Sequence, residues 1–222
     1  MAFTDDDGGS GRFVKIIDGS LVEKAPSEKN GVEIAPPNEK YELFVTKNPE
    51  TEAVVQYYIR RYKRISGKVE SLERVEITAS KIYGYNLHMS DEDGNFSIFF
   101  KDDAKVTDRL LKVFENIDLN EELTVSVWKD VDGRPAITFQ QNEQNVSQAW
   151  SGGVVDGKWE GNLPAPKKSK GKWDYSPISE FLYNNAMENI IPQFVKTGGT
   201  EEAAQAASAG TETAVGKDNI PF

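Results

Sequence analysis

Apolar and polar residues alternate with a period of two along several short stretches of this chain, and that alternation predicts a mainly β protein. Arg12-Phe13-Val14-Lys15-Ile16-Ile17 is a first strand, Asp18-Gly19 a hairpin turn and Ser20-Leu21-Val22-Glu23 the return strand. Ala25 to Lys40 holds three prolines and many polar residues, so it is assigned to a loop before the strand Tyr41 to Val45. From Ile65 the pattern sharpens: Ile65, Gly67 and Val69 fall on one side, Ser66, Lys68 and Glu70 on the other. Tyr83, Tyr85, Leu87 and Met89 alternate in a further strand, which the turn Asp91 to Asn95 joins to Phe96 to Lys101 as a hairpin. Val106, Leu110, Leu111, Val113 and Phe114 then recur at helical spacing, with Thr107 and Asp108 near the start. Leu123 to Trp128 and Pro135 to Gln140 return to strand alternation around Asp132-Gly133.

Residues 48–64 carry two signals. Asn48-Pro49-Glu50 offers a cap, a first-turn proline and early acid, and Val54, Val55, Tyr58, Ile59 and Tyr62 fit a helix. Paired valines and Tyr57-Tyr58-Ile59 also favour a strand. The segment is expected to be a helix running into a strand near Arg64. Three strands, a helix and two strands is the element order of the OB-fold, a five-stranded Greek-key barrel with a helix between strands three and four. That fold, preceded by the N-terminal β-hairpin, is expected over residues 12–148, although other small α+β folds share the order.

Outside that domain the composition changes. Residues 1–11 are acidic and glycine-rich, as a disordered leader is. Residues 149–196 form an extension with Trp150, Trp159, the basic-aromatic run Lys167, Lys168, Lys170, Lys172, Trp173 and Tyr175, and a helix. The helix opens at Ser176-Pro177, carries Phe181, Leu182, Met187 and Ile190, and is expected to stop near Pro192. Residues 197–222 are mostly Gly, Ala, Thr, Ser and Glu, which cannot bury apolar surface and predict a flexible tail.

The 222 residues include no cysteine and one histidine, His88, which removes disulfides and thiolate metal sites and leaves little for acid-base chemistry. The acidic start lacks the basic and apolar regions of a signal peptide, and no stretch is long enough to span a bilayer, so a cytoplasmic location is expected. A net charge of −10 argues against nucleic acid at first sight, since phosphate binding rests on Lys and Arg. Charge distribution decides the matter, however, and the cations are not spread evenly.

Tyr57, Tyr58, Arg60, Arg61, Tyr62, Lys63, Arg64 and Lys68 interleave aromatics with cations. Sequence-tolerant binding of single strands needs that mixture, because every base has a face to stack on and every phosphate a charge to neutralise. Strand alternation places Trp128 with Thr124 and Ser126 on a polar face, and Phe99 with Ser97 and Lys101. Lys129, Arg134, Lys101 and Lys81 are candidate phosphate contacts nearby. For the aromatics the competing explanation is packing, and for the lysines protection of strand edges. Asp91-Glu92-Asp93 and Asp102-Asp103 resemble metal-binding carboxylates, but Asp93-Gly94-Asn95 also makes a good turn, and neither a matching base or nucleophile nor a phosphate-cradling loop accompanies them. No enzyme activity, metal or cofactor is expected.

The most specific feature is the terminus Asp218-Asn219-Ile220-Pro221-Phe222. Phe222 can fill an apolar pocket while its α-carboxylate meets a partner's cation, and Pro221 reduces the entropy lost on docking. Ile220-Pro221-Phe222 resembles the ending of bacterial single-stranded DNA-binding proteins, and chance agreement at three fixed positions is on the order of one in several thousand. The acidic run before it is thinner than in that family: Lys217 precedes Asp218, and Glu212, Glu202 and Glu201 lie farther back. Over Phe13 to Gln141 the hairpin, the Asp-Gly turn, the element order and Asn116-Ile117-Asp118-Leu119 resemble phage-encoded single-stranded DNA-binding proteins of the OB type. The resemblance implies a protein that binds and protects single-stranded DNA in replication or recombination and recruits replication, recombination or repair proteins through its tip. The rival functions are an OB-like interaction adaptor that binds no DNA, and a metal-dependent nuclease using Asp91, Asp93 and Asp103.

Overall fold

The computed structural model describes residues 12–24, 41–47, 54–77, 82–102, 104–169 and 172–197. The first strands are β1 (Arg12–Ile17), β2 (Ser20–Lys24), β3 (Glu42–Lys47), β4 (Val54–Tyr62) and β5 (Arg64–Ile77). They are followed by β6 (Ile82–Asp91), β7 (Gly94–Lys101), helix α1 (Lys105–Val113), β8 (Glu122–Lys129), β9 (Pro135–Gln141) and the short β10 (Gln144–Asn145). All ten strands join one sheet, in the order β10-β9-β8-β5-β6-β7-β1-β2-β4-β3. The protein is mainly β, as its alternation predicts. Among the described residues no helix is long and apolar enough to cross a membrane.

β5 organises this sheet. Its first residues pair with β8, from Arg64 opposite Ser126 to Lys68 opposite Glu122, and from Lys68 onward it pairs with β6. A register shift between Val69 and Ser71 bends the strand where it changes partner, as an extra residue in a ladder does. The bend rolls the inward face round Leu87, Met89, Ile98, Phe100, Val125 and Phe139, and Leu110 and Leu111 of α1 cover the end of that core.

The sheet corrects the expected five-stranded barrel: among the described residues it has ten strands, and it stays open. The reason lies in the N-terminal hairpin, which forms as expected around Asp18 and Gly19, both at positive φ as a type I′ turn requires. Its first strand runs parallel to β7, with Val14 beside Ile98, and so occupies the edge that closure would need. A second correction concerns residues 48–64. Val54 to Tyr62 is a strand, paired with β2 on one side and β3 on the other, while 48–53 lie outside the described residues. Two long ladders and the burial of Ile59 outweigh the helical spacing, in keeping with the β-branched and aromatic content.

The segment after Gln148 is built on the same core. It makes the hairpins β11 (Gly152–Val155) with β12 (Lys158–Gly161) and β13 (Lys167–Ser169) with β14 (Lys172–Asp174), then α2 (Ser176–Asn185). Leu163, Ile178, Leu182, Ala186 and Ile190 belong to the cluster that contains Leu110 and Phe139. The Trp150 and Phe181 rings meet edge to face at 4.8 Å, and Glu115 accepts hydrogen bonds from Trp150 Nε1 at 3.1 Å and Asn185 Nδ2 at 2.7 Å. The expected stop near Pro192 is not observed. A π-helical turn over Ala186–Ile190 leads into α3 (Ile191–Thr197), where Pro192 falls in the first turn, a position that tolerates a missing N–H.

Candidate nucleic-acid interface

The outward face of β1 carries Phe13 and Lys15, since Val14 points into the core. Parallel pairing sets Phe13 beside Ser97 and Lys15 beside Phe99 on β7. The Phe13 and Phe99 rings lie 6.4 Å apart. Phe99 lies over Gly84 of β6, where an added Cβ would sit 2.6 Å from the ring, so glycine is what lets the phenyl group lie low on the sheet. Only 9% of Phe99 is exposed; it floors the surface and does not project from it.

Beside this floor lies a groove of about 390 Å³ lined by Lys15, Ile16, Ile17, Phe99, Lys101, Ala104, Lys105, Val106, Arg134 and Pro135. Four of these residues are cations and none is a carboxylate. Burial, reinforced by Lys24, holds the Lys15 ammonium below the ordinary lysine pKa, which marks a partly dehydrated cation that gains from an anionic neighbour. Lys105 is the first residue of α1, at the end where the helix dipole also favours negative charge.

Trp128 stands on the adjacent strand, 44% exposed, on the polar face with Thr124 and Ser126 as alternation predicts. It pairs in register with Ala136, and Lys129 pairs with Pro135 of the groove wall. Lys129 Nζ also lies 3.2 Å from Asp18, and Arg134 lies 3.7 Å from Asp132, so both side chains are held by carboxylates at the rim. Of the residues singled out by sequence, Phe99, Lys101 and Arg134 therefore meet in one groove, with Trp128 and Lys129 on the strand next to it.

The 57–64 cluster is not one basic face. Arg61 Nε donates to Glu42 at 2.5 Å and its guanidinium lies 5.9 Å from the Phe44 ring. Arg60 lies 4.5 Å over Tyr62, and the Tyr62 hydroxyl donates to the buried carboxylate of Glu23. Burial and that contact raise the Tyr62 pKa. Tyr58 is half-buried, whereas Lys63, Arg64 and Lys68 are exposed. The side chain of Tyr57 and all of Lys81 lie outside the described residues.

A second groove, also about 390 Å³, lies between α1 and α2 and is lined by Tyr85, Asp102, Thr107, Asp108, Leu111, Ser179, Glu180 and Tyr183. Arg74 pairs with Asp102 and its guanidinium lies 5.0 Å from the rings of both Tyr85 and Tyr183. Burial pushes the Tyr85 hydroxyl up to about 12 and raises the Asp108 carboxyl above its ordinary value.

The nuclease carboxylates are engaged elsewhere: Asp91 pairs with Arg12, and Asp93 lies 3.9 Å from the same guanidinium. Asp103 lies outside the described residues, among which no three His, Cys, Asp or Glu side chains are grouped to hold a metal. His88 bridges Ser97 Oγ at 2.8 Å and Glu73 at 3.2 Å on the outward sheet face.

Lys15 and Lys105 are the two groove cations that sequence reasoning does not select. Alternation puts Lys15 on the face opposite Val14, but nothing in the sequence reveals that β1 lies against β7. The terminal residues Asp218, Asn219, Ile220, Pro221 and Phe222 lie outside the described residues, as does the leader 1–11. Compared with known family models, curated proteins and solved structures, the chain has no significant match in any of the three.

Proposed function

We propose that this protein binds and protects single-stranded DNA during replication or recombination and recruits partner proteins through Asp218 to Phe222. The observation that carries the proposal is the groove in which Lys15, Lys101, Lys105 and Arg134 converge beside Phe99. In a chain of net charge −10, such a concentration of cations has a specific electrostatic use. Phosphates are neutralised in the groove, and the exposed indole of Trp128 on the neighbouring strand offers a base a stacking face. The succession β9-β8-β5-β6-β7, with α1 following β7, supports an OB-type arrangement left open beside β7, and the basic groove lies at that opening.

Fluorescence anisotropy of a labelled oligo-dT across a salt series tests the proposal. Four phosphate contacts give a slope of log K against log salt of about −3. An oligonucleotide that stays unbound at low salt overturns DNA binding, and a chain that captures partner proteins but no oligonucleotide is the adaptor instead.

A further inference from the structure

We infer that the β13–β14 hairpin is a second stacking site for the same single strand, with Trp173 as its platform and Lys167, Lys168 and Lys172 as its phosphate contacts. The inference rests on the reading of the protein as a single-stranded DNA binder. The hairpin is a separate two-stranded sheet, with Lys167 opposite Asp174, Lys168 opposite Trp173 and Ser169 opposite Lys172. Its two strands contribute nothing to the hydrophobic core, and Lys167, Lys168, Lys172 and Trp173 are all exposed.

The contrast among the four tryptophans is informative. Trp150 and Trp159 pack against the core and donate their indole N–H groups, to Glu115 at 3.1 Å and to the Leu163 carbonyl at 2.8 Å. Trp128 and Trp173 are exposed, at 44% and 48%, and Tyr175 just beyond the hairpin at 56%. An indole left in water beside lysines is what a base-stacking surface requires and what packing does not. Lys168 Nζ lies 5.5 Å from the Trp173 ring, so a cation already accompanies the aromatic face. The hairpin's one carboxylate, Asp174, lies opposite Lys167 and attracts it, and it also ties down the start of α2. Asp174 Oδ1 accepts from the Ser176 amide at 3.0 Å and the Ser176 hydroxyl at 2.6 Å, which fixes the chain at the start of α2.

The full chain carrying Trp128→Phe isolates the hairpin signal, because Trp173 is then its only strongly exposed tryptophan. Oligo-dT binding is followed by anisotropy and by tryptophan quenching on the same samples. Quenching persists in Trp128→Phe and disappears when Trp173→Phe is added. Trp173→Ala in the otherwise native chain weakens binding roughly tenfold, while Trp173→Phe, which keeps a ring, restores most of it. Lys168→Glu with Lys172→Glu lowers the salt slope by about 1.4. An oligonucleotide that binds by anisotropy while Trp173 stays unquenched and Trp173→Ala is silent overturns the hairpin site and leaves the groove standing. Absence of binding by the native chain overturns both.

Discussion

Two grooves of about 390 Å³ flank α1 and differ in charge rather than in size. One receives Lys105 and Val106 from the helix and is completed by Lys15, Lys101 and Arg134; the other receives Thr107, Asp108 and Leu111 and is completed by Asp102 and Glu180. Charges only a few residues apart in sequence are thus sorted onto opposite sides of one helix. The acidic side is internally compensated, since Arg74 pairs with Asp102 and stacks among tyrosines that join α2 to the sheet. On the basic side no described lining residue is a carboxylate, and an anion that enters meets cations from several elements at once. A net charge of −10 therefore says little about what this protein binds: at physiological salt a charge is felt over about 8 Å, and within that range one groove is cationic.

The contrast can be broken from either side. The largest effect is expected for Phe99→Ala, which removes the floor of the basic groove and costs about 3 kcal/mol of stability, read as a fall in the urea midpoint. Lys101→Glu combined with Lys105→Glu makes the two grooves alike in sign and weakens oligo-dT binding about 100-fold at low salt. The fold should tolerate the change, because glutamate at the start of α1 suits the helix dipole. Trp128→Ala, at an exposed position beside the groove, weakens binding roughly tenfold while stability moves by less than about 0.5 kcal/mol.

Two smaller effects depend on pH. Burial raises the folded-state pKa of Asp108, so the folded protein holds more protons than the unfolded one just above the ordinary carboxyl range. Stability contributed by this group falls as pH rises through that window, and Asp108→Asn raises the urea midpoint at neutral pH but not in acid. Lys15 shows the opposite behaviour. Its pKa is lowered, so the unfolded state holds more protons below the ordinary lysine value, and stability contributed by this group rises with pH there. DNA affinity falls over the same range as the groove loses one cation, a drop of a few-fold that Lys15→Arg abolishes in an anisotropy titration.

Much of the fold is legible in the sequence because strands and hairpins are local. The Asp18-Gly19 turn, the alternation of Trp128 with Thr124 and Ser126, and the helix after Lys101 follow from spacing and turn chemistry. Residues 54–62 mislead because Val54, Val55, Tyr58, Ile59 and Tyr62 satisfy a helical period as well as a strand, and the ladder to β2 that holds them as a strand joins residues as distant as Leu21 and Tyr62. Pro192 misleads because a proline ends a helix only where its N–H is needed, and the π-helical turn before it moves that requirement. Trp128 is placed by period alone, whereas Lys15 and Lys105 enter the groove only through their neighbours.

By itself, then, the amino-acid sequence determined the mainly β character, the hairpins at Asp18-Gly19, Asp91 to Asn95 and Asp132-Gly133, the outward face of the strands that alternate clearly, and the tail motif, all of them set by residues a few positions apart. Only the tertiary structure decided that β1 takes the open edge of β7, that the sheet consequently stays unclosed, and that cations from β1, β7, α1 and the turn before β9 converge on one groove. The physical reason is that partner choice between strands depends on burial and backbone pairing across long separations, for which local alternation offers many equally good answers.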